Sequence, residues 1–196
     1  MDIRFSQLQC SSSSVSLCID EWQIGADQSW GVFTTEGDIG VLLGQLRTGQ
    51  CLSKHTGYRG DITGCVAADV AVVSLLEQQA LLEEILEFDD SESLGYTDPK
   101  TTVFGVIYAQ CHDNALTHQL LQQLDLIHLS QSHFTHLSTG EGRRVMLARA
   151  VATQVPFLIL DEPYAGLDVG HRQTLTQYLQ DLAQTKQMLV VVSREE

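Results

Sequence analysis

Polar and apolar residues alternate through the first thirty positions. "DIRFSQLQ" and "SVSLCIDEWQI" both have the period of two that marks strands, with "CSSSS" as the turn between them. "SWGVF" reads as a short apolar strand, and "IGVLLGQL" after it as helical. "GCVAADVAVVSLL", rich in valine and alanine, reads as a buried strand with its flanks. The period then lengthens. In "EQQALLEEILEF" the residues Leu81, Leu82, Ile85 and Leu86 share one helical face, and "NALTHQLLQQLDLIHL" repeats the pattern. The acidic "DDSESLGYTDPK" between them reads as an exposed loop. The last third is a helix from "STGEGRRVMLARAVATQ", an unbroken apolar run "VPFLILDEP", a helix from "GHRQTLTQYLQDLAQTK" and a second apolar run "QMLVVVS". Unbroken apolar runs fit strands covered on both faces of a parallel sheet, and their alternation with helices predicts an α/β domain.

Composition narrows the function classes. The chain has 196 residues, 43% of them hydrophobic, enough for one ordinary domain or one with a small subdomain. Acidic residues number 25 against 11 basic, a formal charge of −14 that repels a phosphate backbone, so no direct nucleic-acid partner is expected. Five cysteines, odd in number and without a CxxC pair, fit reduced thiols in the cytoplasm. "MDIRFSQLQ" has no signal-peptide layout, and no apolar stretch approaches the ~18 residues of a membrane span. A membrane role would run through a partner, with the chain peripheral at the inner face.

The candidate chemistry starts at "FLILDEP". A parallel strand delivers Asp161 and Glu162 at its carboxyl end, where α/β proteins bind ligands, and two adjacent acids suit holding a hydrated magnesium and orienting a water. Alone, the pair fits a solvated acidic turn equally well. About twenty residues upstream stands "LSTGEGRR", and just downstream stands "YAGLD". The order LSxGE, helix, apolar run plus DEP, then GLD resembles the ATP-binding cassette (ABC) ATPases, and more narrowly the first cassette of the ModF-type tandem proteins associated with molybdate transport and photorepair. The resemblance implies a P-loop NTPase-like (RecA-like) fold: a mainly parallel sheet, N-terminal antiparallel strands and a helical subdomain at approximately 75–150. It further implies ATP and Mg2+ as cofactors, Asp161 as the metal residue and Glu162 as the catalytic base. Ser138, Thr139, Gly140 and Glu141 take the signature positions, Asp168 closes the D-loop, and Gln78 (or Gln79) takes the Q-loop position. "TTVFGVI" is similar to the segment after that loop.

The physics of a helix start agrees with that role. Free N–H groups and the helix dipole at Ser138 and Gly140 suit a phosphate, which in ABC dimers is bound to the other subunit. The phosphate loop itself departs from the pattern. Aligned from Trp30, the GxxxxGK[ST] positions are Thr34, Gly37 among the intervening residues, Ile39, Gly40 for the lysine and Val41 for the hydroxyl. Glu36 and Asp38 add negative charge, and at ~4 Å with an effective dielectric of ~20 each like-charge contact costs on the order of several kcal/mol before screening. Of three lysines, only Lys100 precedes a threonine, and a proline stands before it. Arg194 occupies the place of the family's switch histidine.

Three functions follow: a cassette whose signature completes a partner cassette's ATP site, a regulatory or structural module that binds no nucleotide, and self-sufficient hydrolysis, which the lost lysine and hydroxyl argue against. The resemblance also implies one cassette over 1–196 that stops short of the family's closing elements, with a second cassette downstream and an indirect link to a membrane permease. Among other residues, His133 and His136 lack the further ligands of a metal site. The acids Glu83, Glu84, Glu87, Asp89 and Asp90 read as a solvated face. Arg143 and Arg144 divide between a place near the partner's phosphates and an exposed helix flank.

Overall fold

A computed structural model describes residues 2–11, 16–34, 58–90 and 98–193. The chain divides into two compact units. The first comprises residues 1–72, 155–163 and 182–196, and the second residues 73–154 and 164–181.

The first unit is built from two sheets. In the antiparallel one, β1 (Ile3–Ser11) lies between β2 (Ser16–Ile24) and β4 (Tyr58–Thr63). Its alternating pattern puts Ile3, Phe5 and Leu8 of β1 opposite Ile24, Trp22 and Ile19 of β2, apart from β1's shift of register against β4 between Ser6 and Gln9. There Gln7 takes φ 50°, and β4 answers with Gly60 at φ 110°, where a Cβ would stand 2.5 Å from the Gln7 carbonyl oxygen. β4 falls in a stretch whose hydrophobic pattern did not announce a strand.

The second sheet runs in the order β3 (Trp30–Thr34), β7 (Gln187–Ser193), β6 (Phe157–Asp161), β5 (Val70–Val73). β7 pairs in parallel with β3 on one side and β6 on the other. Every residue of β6 is buried, as its continuous apolar run requires. Phe157 and Ile159 of β6 and Leu189 and Val191 of β7 join Ile3, Phe5, Leu8 and Ile24 in one core between the sheets. At the amino end, Gln187 donates from Nε2 to the Gly25 carbonyl (2.6 Å), and Ser29 Oγ accepts the Met188 N–H (3.1 Å).

The second unit is helical. It contains α1 (Leu75–Asp90), α2 (Val103–Cys111), α3 (Asn114–Gln123), α4 (Thr139–Ala152) and α5 (Val169–Leu182). Thr102 caps α2 by accepting from Gly105 N–H (3.1 Å), and Asp113 caps α3 through Ala115 and Leu116 N–H. The pattern predicts α3 running on to Leu129. Instead Asp125 turns left-handed (φ 53°) and a short 3-10 turn follows at Ile127–Leu129. The carbonyls of Leu124 and Asp125 accept from Arg144 Nη1 at 3.0 and 3.3 Å. Arg143 and Arg144 are therefore not an exposed flank: they are 4% and 7% exposed, within a helix buried almost throughout. Among the described residues, no helix is long and apolar enough to cross a membrane.

Candidate functional site

In the first unit the parallel strands bring three sequence positions to one edge. Thr34 ends β3 opposite Ser193 of β7, and Asp161 ends β6 opposite Val191. The loop start, the residue before Arg194 and the acidic pair thus share the carboxyl edge of the sheet, where α/β proteins place ligands. Asp161 is 7% exposed. Glu162 takes φ 49°, sparsely populated by non-glycine residues, and its N–H extends the ladder to Val191 O (2.9 Å). Its Oε1 accepts the Ser193 N–H at 2.5 Å. Its Oε2 is buried and makes no hydrogen bond among the described residues, a disposition that fits a water or a cation in a loaded site. Gly37, Gly40, Val41 and Arg194 lie outside the described residues. Lys186 gives its ammonium to Val155 O (2.7 Å), before the amino end of β6, and its partial burial lowers its pKa.

In the second unit the residues expected at the signature positions open α4. Ser138 is the N-cap in extended backbone, and Glu141 N–H donates to its Oγ (3.4 Å). Glu141 reaches back: its Oε2 accepts from Ser138 N–H (2.8 Å) and Ser138 Oγ–H (2.7 Å). This closed capping box satisfies donors that a helix start otherwise leaves free. The Ser138 hydroxyl and N–H bonds hold the Glu141 carboxyl below its ordinary range. Gly140 is buried because the YAGLD stretch crosses it. A Cβ there would stand 2.7 Å from Gly166 O and 2.9 Å from Leu167 Cδ2. Gly166 itself has φ 74°, so each glycine admits the other. The LSTGE and YAGLD stretches form one surface, with Thr139 against Gly166.

Gln78 stands in the first turn of α1, whose start is capped by Ser74 Oγ accepting from Glu77 N–H (3.2 Å). Its side chain fills the place a side chain at Gly142 would take: a Cβ there would be 2.5 Å from Gln78 Nε2. Gln79 beside it is exposed. Asp168 begins α5, accepting from His171 N–H (2.9 Å) and pairing with His171 Nδ1 (2.7 Å). The His171 backbone bond, then its side-chain bond, lowers the Asp168 pKa. His171 Nε2 also lies 3.8 Å from Asp125, which in turn is 3.7 Å from Arg144. Sequence reasoning missed both the Gln78–Gly142 packing and this chain. A glycine inside a helical pattern was the only signal for the first, and a histidine three residues after an N-cap aspartate for the second. The His133 and His136 rings stand 5.5 Å apart, and no metal-ligating group of three occurs among the described residues.

The arrangement can present hydrogen-bond donors at a helix start and a pair of carboxylates at a sheet edge. Comparison with known proteins places it. The profile of the ABC transporter family matches residues 42–165, a span that includes the LSTGE and FLILDEP stretches. ABC transporter ATP-binding protein ModF of Escherichia coli is 29% identical over 183 residues, covering 92% of this chain and 36% of that protein. Molybdate import ATP-binding protein MolC of Haemophilus influenzae is 39% identical over 80 residues, 41% of this chain and 32% of that one. The chain thus spans about a third of the length of these relatives. Among solved structures, an inward-facing conformation of a metal-chelate type ABC transporter superposes with a TM-score of 0.66 at 21% identity, over 99% of this chain and 73% of that one. An RNase-L inhibitor superposes at 0.68 and 21% identity, over 96% of this chain and 33% of that one. The fold is that of these ATPases, and the chain belongs to the ABC transporter family as an ATP-binding cassette.

Proposed function

We propose that this chain is a cassette whose own phosphate loop is degenerate and whose signature face completes the ATP site of a second cassette. The observation that carries this reading is the contrast between the two halves of the chemistry. Ser138, Thr139 and Gly140 keep a helix start packed against the D-loop, whereas Gly40 and Val41 stand where a lysine and a hydroxyl are needed. ATP with Mg2+ supplies the phosphoryl group and its neutralising cation. Asp161 would hold the metal and Glu162 a water in the chain's own site, but residues 34–41 offer no cation to a γ-phosphate. The signature donors then act on nucleotide held by the partner. We assign the whole of 1–196 to one cassette with a helical subdomain at approximately 75–150, in a cytoplasmic protein that reaches a membrane permease through its partners. Molybdate import, named for one relative, is the transport role we favour.

One observation favours a second reading, a regulatory module that binds no nucleotide. Glu141 already occupies the N–H and O–H of Ser138 with a carboxylate. Reconstitution with a second cassette carrying a complete GxxxxGK[ST] separates the two. If the signature acts in trans, Ser138→Arg abolishes the stimulated ATP turnover. Unchanged turnover would overturn the trans reading and leave the module.

A further inference from the structure

Within the helical unit, α1, α2, α4 and the turn before α2 enclose a half-open cavity of about 330 Å³. That is at the small end of ligand pockets, which run from ~300 to ~1,000 Å³. Its walls are apolar: Leu81 and Ile85 from α1 face Val106 from α2, and all three are buried. Three charged groups interrupt them, Lys100, Arg149 and Glu84.

Arg149 is the unusual member. It is half-buried, and among the described residues its guanidinium makes no hydrogen bond or ion pair. Burial lowers its pKa while the charges of Glu84 and Glu77 raise it. A guanidinium carries five donors in a planar fork that matches a carboxylate, and it stays protonated even when buried. The Arg149 nitrogens are not among the fully buried ones, so they open on the half-open cavity, where a carboxylate can take the place of water. Lys100 adds a second cation, so the described lining residues carry two positive groups and Glu84, with Glu77 also acting on Arg149.

We propose that this cavity binds a small amphiphile: an apolar chain between Leu81, Ile85 and Val106, and a carboxylate head on Arg149 with Lys100 beside it. The site is separate from the nucleotide chemistry and does not rest on the trans-acting signature. A cationic amphiphile of the same length meets the like charges of Arg149 and Lys100, and an uncharged one forgoes the charge-assisted pair, so selectivity for the anion is the mark of the site.

Calorimetric titration of the 196-residue chain with decanoate and with decyltrimethylammonium, each below its micellar range, tests it. The expected result is saturable decanoate binding at one site per chain, about tenfold or more tighter than the cation, the scale of one charge-assisted pair. Arg149→Gln reduces decanoate affinity by about tenfold. Lys100→Glu and Ala109→Trp lie at exposed positions of the rim and leave the fold intact if the Arg149 variant does not. Lys100→Glu weakens decanoate alone, and Ala109→Trp, at the mouth, removes binding of both probes. Absence of saturable decanoate binding, equal affinity for the two probes, or decanoate binding indifferent to Ala109→Trp and Lys100→Glu would overturn the proposal.

Discussion

Glu162 at the end of β6 and Glu141 in the first turn of α4 are both held by a backbone N–H, but by different means. Glu162 is fixed by Ser193, thirty-one positions away in the chain, and its clamp exists only because β6 and β7 pair. Glu141 is fixed by Ser138, three positions away, and its clamp is a property of a helix start. The sheet edge therefore depends on the packing of the whole first unit. The start of α4 needs only its own helix and Gly166, which crosses it.

The harshest way to break this comparison is through the core. Leu189 is wholly buried in β7 among Phe157, Ile159 and Val191. Leu189→Ala removes apolar burial and leaves a cavity, at a cost of about 2–5 kcal/mol, read as a shifted urea midpoint. Amide exchange gives the sharper reading, since stability is not uniform across a structure. The Ser193 amide exchanges faster in the variant while the Glu141 amide changes little. Equal acceleration at both would show that the signature's clamp is not local.

Gly140→Ala acts on the other region with a smaller effect. Alanine gains about 1 kcal/mol over glycine inside a helix. Against this, the new Cβ stands 2.7 Å from Gly166 O, a backbone atom that cannot swing aside. Overpacking of this kind costs about 1–3 kcal/mol, so the clash outweighs the propensity and thermal denaturation shows net destabilisation. A stabilised variant would mean that the D-loop yields freely and that the shared glycine surface is not required.

These two regions also differ in how far the sequence reveals them. β6 and β7 are legible because a continuous apolar run has one economical reading, a strand covered on both faces, and the acids at its end follow from strand direction. The capping box is legible because serine and glutamate three apart make local bonds. β4 is not, because "YRGDIT" carries too few apolar residues to alternate and depends on β1 for its register. The break of α3 at Leu124–Asp125 is equally hidden. It is secured by the guanidinium of Arg144, twenty residues on, accepted by carbonyls that the helix leaves open. The burial of Arg143 and Arg144 escapes composition for the same reason: a charged residue reads as surface until a specific partner is known. Gln78 is singled out by its position in the family pattern, but its packing on Gly142 comes from the fold.

The finest division between the two clamps is charge, and Glu141→Gln isolates it. Glutamine also suits a capping box, so the variant keeps the hydrogen bond from Ser138 N–H and loses only the negative charge at the helix start. At neutral pH that charge favours the folded state through the helix dipole, by about 0.3–1 kcal/mol before discounting for its solvent exposure. The sign of the pH dependence follows from the lowered carboxyl of Glu141. A group whose folded pKa is depressed contributes stability above its unfolded pKa and loses it as pH falls through the folded value. The wild type is therefore the more stable protein at neutral pH. Its lead over Glu141→Gln narrows as pH falls below the ordinary glutamate value of 4.5, while the glutamine itself does not titrate. Paired thermal denaturation curves, taken from neutral to acid pH, measure the lead directly. A lead that stays constant through the acid range would assign the clamp to neutral hydrogen bonding, and the carboxylate would then contribute nothing electrostatic to the signature's start.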